Sequence, residues 1–364
     1  ATGVVLSGTP NSLVFNPTGS VAFLGSSKGL MQVVVAANPP TLTTTTNVIG
    51  KVLALSPDGK KVIVSDIQSA VNQVFIFDTS SNTTSSFLIS GATAAAFSPD
   101  NLKAYILAGT KLYVYSTQAP LKTITLPAAM TGSDVAFFGT GGFAYIAGTA
   151  GGSGQVVVRN TCDDSISLDP STSAQQIVPT PGAPLFIRPL PGESLIMLDP
   201  PGVDIITGTV GARPGHPVPG DTGCPIPFPQ GYLGITNAVS SKGLGQGLFT
   251  PVGFEVSSDG QKVYVAIQNI SSIVVLDVPS GNISSIGLVG NPAPLAMSLS
   301  ADGSSLYVSA SDLAVHVINT SSGSDANQVS LVPTGSSAPA TVLCAISTGG
   351  TPPNCLPDLI AVKP

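Results

Sequence analysis

The segment Val52-Leu-Ala-Leu-Ser-Pro-Asp-Gly59 decides the architecture, because the chain repeats it: a short apolar run that ends in a Ser/Pro-Asp-Gly turn. Ala94-Ala-Ala-Phe-Ser-Pro-Asp-Asn101 and Phe254-Glu-Val-Ser-Ser-Asp-Gly260 are further copies, and Phe15-Asn-Pro-Thr-Gly19 and Leu299-Ser-Ala-Asp-Gly303 are variants. In such a turn Pro presets φ, the Asp side chain caps the backbone, and Gly or Asn accepts positive φ. Each copy therefore predicts a hairpin. Four residues beyond the turn Gly or Asn an aromatic or branched residue recurs, at Phe23, Ile63, Tyr105, Tyr145, Ile196, Tyr264 and Tyr307. A third apolar run follows in most copies, as in Gln73-Val-Phe-Ile-Phe-Asp78 and Ile273-Val-Val-Leu-Asp277, and a weaker fourth can be read at Ser85 to Ile89 and Ile283 to Val289.

Four short strands repeating about every 40 residues is the spacing of a propeller blade. With the residue before each turn as a marker, the copies fall at Phe15, Leu55, Phe97, Phe137, Arg188, Val256 and Leu299. The sequence thus predicts an all-β, seven-bladed β-propeller with about four antiparallel strands per blade, as a single domain over residues 1–364. The spacing stretches after the fourth and fifth copies. A Pro/Gly-rich insertion is expected at about 208–248, and an irregular segment at about 333–357 precedes a terminal strand from Asp358 to Val362. Either that strand or Val4 to Leu6 is expected to complete a blade begun at the other end of the chain, since unpaired sheet edges invite association.

Only 9% of residues are charged, 13 Lys and Arg against 19 Asp and Glu, so Ser, Thr, Asn and Gly must keep the surface wet. That surface suits a secreted or cell-envelope protein. The net charge of -6 offers no basic footprint for phosphate backbones, which argues against nucleic acid as a partner. Every apolar run is interrupted by Gly, Pro, Ser or Asp well short of the roughly 20 residues a membrane span requires. Ala1 is not followed by the basic and apolar regions of a signal peptide, so any such peptide is expected to have been removed. The four cysteines, Cys162, Cys224, Cys344 and Cys355, are read as two disulfides, and three pairings are open. The closeness of Cys344 to Cys355 favours a local loop and leaves Cys162 for Cys224. A zinc site is the competing reading, but the spacing contains no CxxC.

The repeats resemble those of YVTN-type β-propeller proteins, a family that includes surface-layer-associated and lactonase-like propellers. The matching residues are Ser56 to Gly59, Lys262-Val-Tyr-Val-Ala266, Leu306-Tyr-Val-Ser309 and Val274-Val-Leu-Asp277. The resemblance implies the architecture. It transfers no catalytic signature to this sequence, because propellers of this kind carry binding scaffolds, lyases and lactone hydrolases on one frame.

Chemistry-bearing residues are few. Glu193 and Glu255 are the only glutamates, and His216 and His316 the only histidines. Glu255 replaces the small residue found at equivalent inner-strand positions, Val14, Ala54, Ala96 and Ala136, and the preceding copy carries Arg188. Opposite charges on adjacent blades predict either a buried ion pair or a polar anchor at a channel mouth. His216 and Tyr232 lie in the insertion, where loop residues meet ligands. His316 is expected to be an ordinary packed or edge-exposed strand residue, and Asp78 and Asp277 to cap turns rather than bind calcium. No metal or cofactor is expected. The favoured reading is a monomeric, non-enzymatic scaffold that binds or displays a protein, glycan or cell-envelope component, with Arg188, Glu255, His216 and Tyr232 as candidate ligand contacts. The competing reading is a lactonase-like or lyase-like enzyme that uses the channel mouth.

Overall fold

The computed structural model describes residues 4–66, 72–191, 194–212, 233–331 and 358–364. Seven antiparallel sheets of four strands make up the seven blades of a β-propeller. They cover residues 10–45, 51–88, 92–125, 131–180, 186–243, 251–287 and 294–330. The one helical element among the described residues is a single 3-10 turn, Pro127–Ala129.

The Ser-x-Asp-Gly turns form as their chemistry dictates. Ser56, Ser98, Ser257 and Ser300 donate their Oγ hydrogens to Asp58, Asp100, Asp259 and Asp302 at 2.5–2.7 Å. Each serine oxygen also accepts the backbone N–H that opens the second strand, from Lys61, Lys103, Lys262 and Ser305. The residue that needs positive φ is Gly59 at 71°, Asn101 at 64°, Gly260 at 71° and Gly303 at 69°. The hydroxyl of Ser300 beside Asp302, with the Ser304 N–H, holds that carboxyl down at about 2. Asp78 and Asp277 cap the turn after the third strand by accepting backbone N–H bonds from Ser81 and Ser280.

Of the seven recurring second-strand residues, Phe23, Ile63, Tyr105, Tyr145, Ile196 and Tyr264 are buried, whereas Tyr307 is half-buried. The chain divides into two compact units. The first holds blades 1, 6 and 7. Tyr264, Ile273, Leu288, Met297, Leu306 and Ile318 form one core there, and Val4 and Leu6 pack against Ala22, Leu24 and Met31 of blade 1. The second unit runs from Leu53 to Leu248, apart from a short segment, and packs its blades in sequence. Ile63, Ile76 and Ile106 join blades 2 and 3; Leu107, Val135 and Ile146 join blades 3 and 4; Tyr145, Ile187 and Ile206 join blades 4 and 5. Each such side chain stabilises the fold by about 1.5–3 kcal/mol when removed from water.

Two expectations are corrected. Among the described residues no blade borrows a terminal strand: every sheet is built from four consecutive strands, and 358–364 forms none. Val362 instead donates its N–H to Ser298 Oγ on the first strand of blade 7. Arg188 is also one position from where turn-counting puts it. It pairs with Ile196 in register, as Glu255 pairs with Tyr264 and Ala136 with Tyr145, while Pro189 occupies the marker position. The cause is a first turn in blade 5 one residue shorter than the others, Pro189 pairing with Leu195 where Phe137 pairs with Ala144.

Candidate functional site

Most strands span five or six residues, but the last two of blade 5 do not. Gly202–Ala212 and Leu233–Gly243 are eleven residues each and remain paired from Gly202 with Gly243 out to Ala212 with Leu233. Within the stretch expected as a Pro/Gly-rich insertion, 208–212 and 233–243 therefore belong to a two-stranded ribbon, and 213–232, the residues between its strands in sequence, lie outside the described residues. A free two-stranded ribbon is marginal in water, so something must support it.

The support is the 161–176 excursion between the third and fourth strands of blade 4. Ile235 donates its N–H to Leu168 O at 3.0 Å, and Asn160 Nδ2 reaches Leu233 O at 3.2 Å. Tyr145 donates its hydroxyl to Asn237 Oδ1 at 2.6 Å, and Asn237 Nδ2 donates to Gln176 Oε1 at 2.9 Å. Thr236 donates to Asp169 Oδ2 at 2.6 Å. Asp169 Oδ1 accepts from the Ser171 hydroxyl and from the Ser171 and Thr172 N–H groups, and this set holds its carboxyl far below the usual range. Beneath the ribbon, Ile235 is fully buried, with Val210 and Leu233 packed on the same core. Tyr145→Phe keeps the packing and removes the bond to Asn237, so it should cost about 1 kcal/mol in urea unfolding.

The excursion is also tied inward. Asp164 accepts Lys103 Nζ at 2.9 Å and Tyr105 OH at 2.8 Å on Oδ1, and Lys122 Nζ at 3.1 Å on Oδ2. Arg159 donates to the Asp164 backbone carbonyl at 2.6 Å. Lys103, Tyr105, Arg159 and Asp164 are all buried. Burial, with Asp164 alongside, pushes the Tyr105 phenol well above its ordinary value, and burial lowers the Arg159 guanidinium. This cluster was absent from the sequence reading, although the repeat contains its signal. Lys61 and Lys262 stand opposite Asp78 and Asp277 in register; Lys103, at the same position, stands opposite Ser116 and so takes its carboxylate from blade 4.

Arg188 is partly exposed and pairs with Asp134 Oδ2 on the first strand of blade 4 at 3.4 Å, with its guanidinium 6.0 Å from the Phe186 ring centroid. Burial raises the Asp134 carboxyl despite that cation. Glu255 is half-buried on the first strand of blade 6. His216, Tyr232, Cys224, Cys344, Cys355 and Glu193 lie outside the described residues; Cys162, within the excursion, carries no free thiol. His316 is fully buried on the third strand of blade 7, with Nδ1 at 2.6 Å from Asp325 Oδ2 and Nε2 at 3.1 Å from Asp312 Oδ2. Among the described residues no cluster of three or more His, Cys, Asp or Glu is placed to hold a metal, and no helix is long and apolar enough to cross a membrane.

No protein-family model matches the sequence, and no curated protein does. Solved structures do resemble it in fold. The β-propeller domain of Myceliophteria thermophila Cps50 (Swd1) is 11% identical, with a TM-score of 0.55 over 88% of this chain and 97% of that one. Kuenenia stuttgartiensis hydrazine synthase is 14% identical, with a TM-score of 0.53 over 89% of this chain and 97% of its own. At such identities the likeness is one of fold alone.

Proposed function

We propose that this chain is an extracytoplasmic, single-domain, YVTN-type propeller that acts as a non-enzymatic binding scaffold, and that the ribbon of blade 5 presents the binding element to a glycan or protein of the cell envelope. The observation that carries the reading is the ribbon itself, twice the usual strand length and braced by the 161–176 excursion. Loops raised on a rigid frame are where propellers and other all-β scaffolds place recognition. The tip sequence holds His216 and Tyr232, an aromatic with a polar end suited to stacking on sugar faces. The ionisable side chains described fit the same reading, since Lys103, Asp164 and His316 are spent on joining strands and blades. Cys162 stands at the start of the excursion and Cys224 in the tip, so a Cys162–Cys224 disulfide would pin the tip to the brace, leaving Cys344 for Cys355.

The test is a variant in which residues 213–232 are replaced by Asn-Gly, which closes the ribbon between Ala212 and Leu233 as a two-residue hairpin. Cys162→Ser accompanies it so that no lone thiol remains. Retention on immobilised peptidoglycan and on an oligosaccharide array should fall at least tenfold, with the melting temperature changed by only a few degrees. Unchanged retention would remove the ribbon from the site. Turnover of simple lactones that disappears in Arg188→Ala and Glu255→Ala would replace the scaffold with the enzyme.

A further inference from the structure

Blade 5 contains a second unusual feature at the root of the ribbon. Asp199 ends the second strand and Asp204 lies near the start of the third, and both are buried, at 3% and 2% exposure. The register pairs Met197 with Asp204 and Asp199 with Gly202, which makes the two carboxyls diagonal neighbours on one face of the sheet. Gly182, in the connection from blade 4, donates its N–H to Asp199 Oδ2 at 2.7 Å. A Cβ on Gly182 would fall 2.5 Å from Asp199 Oδ1 and 2.5 Å from Pro200 O, so the connection approaches this corner as closely as a glycine allows.

Among the described residues the corner is short of donors. Asp199 Oδ1 and Asp204 Oδ2 are buried with no hydrogen-bond partner. Among the described residues, the charge bearing on Asp199 is that of Asp204, and its one donor is Gly182 N–H. On the adjacent strand Lys242 stands opposite Val203, and side-chain alternation sends it to the other face of the sheet from Asp204, whose own opposite is Ser241. Two neighbouring buried carboxylates with no cation among the described residues beside them cannot both be ionised at acceptable cost. A proton on Asp199 would supply the missing donor and remove the repulsion.

We propose that Asp199 keeps a proton that it donates to Asp204, a pH-operated clasp between the second and third strands of blade 5, closed in acid and loosened as the proton leaves. Burial, with Asp204 alongside, raises the Asp199 carboxyl to about 7 against 3.8 for an ordinary aspartate. The folded protein therefore holds a proton that the unfolded chain releases. The stabilisation is complete below about pH 3.8 and is lost as pH rises towards about 7. This holds whether or not the ribbon binds a partner.

The test compares thermal unfolding of the full chain and of Asp204→Asn from pH 4 to pH 8. The amide removes the neighbouring charge and can donate to Asp199, so the melting temperature of the parent relative to the variant should fall between pH 4 and pH 7 and then level. Asp199→Asn, whose amide oxygen still accepts from Gly182, should abolish the same slope and serves if the first variant folds poorly. In ¹³C-aspartate NMR of the parent, one carboxyl resonance should titrate near pH 7 and be missing from either variant. A parent-minus-variant difference independent of pH, or no carboxyl titrating near neutrality, would overturn the clasp. So would a rise in the parent's melting temperature on adding calcium chloride at pH 8 that Asp204→Asn lacks, since the pair would then hold a divalent cation in place of the proton.

Discussion

Asp164→Ala should lower the free energy of unfolding by about 3–5 kcal/mol, because it strands the buried Lys103 ammonium without its carboxylate. Lys103 Nζ and Tyr105 OH both bond Asp164 Oδ1, and Lys122 bonds the other oxygen. Once the carboxylate is gone, Lys103, whose side chain is 4% exposed, retains only backbone carbonyls of Thr161 and Cys162. Removing the stranded charge should relieve part of the cost, so Lys103→Met combined with Asp164→Ala should be less destabilised than the sum of the single variants. Equilibrium urea unfolding of the four proteins measures the coupling directly. Strict additivity would mean that Asp164 acts through the excursion's backbone and not through the ion pair.

His316→Ala should cost about 3 kcal/mol, by cavity formation and by leaving Asp325 buried without its side-chain partner. The Asp325 side chain is 1% exposed, and its Oδ2 receives His316 Nδ1 together with the Val289 N–H at 2.8 Å. Gln328 reaches Val289 O from the same strand as Asp325, so the imidazole anchors the connection that leads into blade 7. The loss should therefore show locally as well as globally, with faster hydrogen exchange at Val289 than at Val308 in the adjacent second strand. A change below 1 kcal/mol would mean that the two carboxylates find water once the ring is removed.

These two sites illustrate how far the sequence is legible. The blades were, because one turn repeats and its Ser, Asp and Gly each perform a fixed local task, visible without knowing any distant neighbour. The second-strand register was legible for the same reason, with Tyr307 the position that stays half-buried. What local rules do not carry is a partner supplied by another strand or another blade. His316 reads as an ordinary strand residue until the fold brings Asp312 and Asp325 to its two nitrogens. Arg188 was recognised as an inner-strand charge, but Asp134, a carboxylate it bonds, was not singled out although Ser12, Ala94, Gly253 and Ala296 stand at its register position, and a shortened turn displaced Arg188 by one position. The ribbon was concealed by composition, since Gly208-Thr-Val-Gly-Ala212 and Ala238-Val-Ser-Ser-Lys242 lack the apolar alternation of a half-buried strand and are held by pairing with each other. Compartment and ligand leave still weaker traces, because a Ser/Thr-rich surface with few charges suits many extracytoplasmic partners.

The most direct test of the account is hydrogen exchange of the full chain with and without soluble peptidoglycan fragments, read residue by residue. A scaffold that binds through its ribbon predicts protection concentrated in 205–240 and along the 161–176 brace, with the first strands of blades 5 and 6 unchanged. Protection centred instead on Phe186–Leu190 and Pro251–Val256, the strands that carry Arg188 and Glu255, would contradict it and place the ligand on the inner strands.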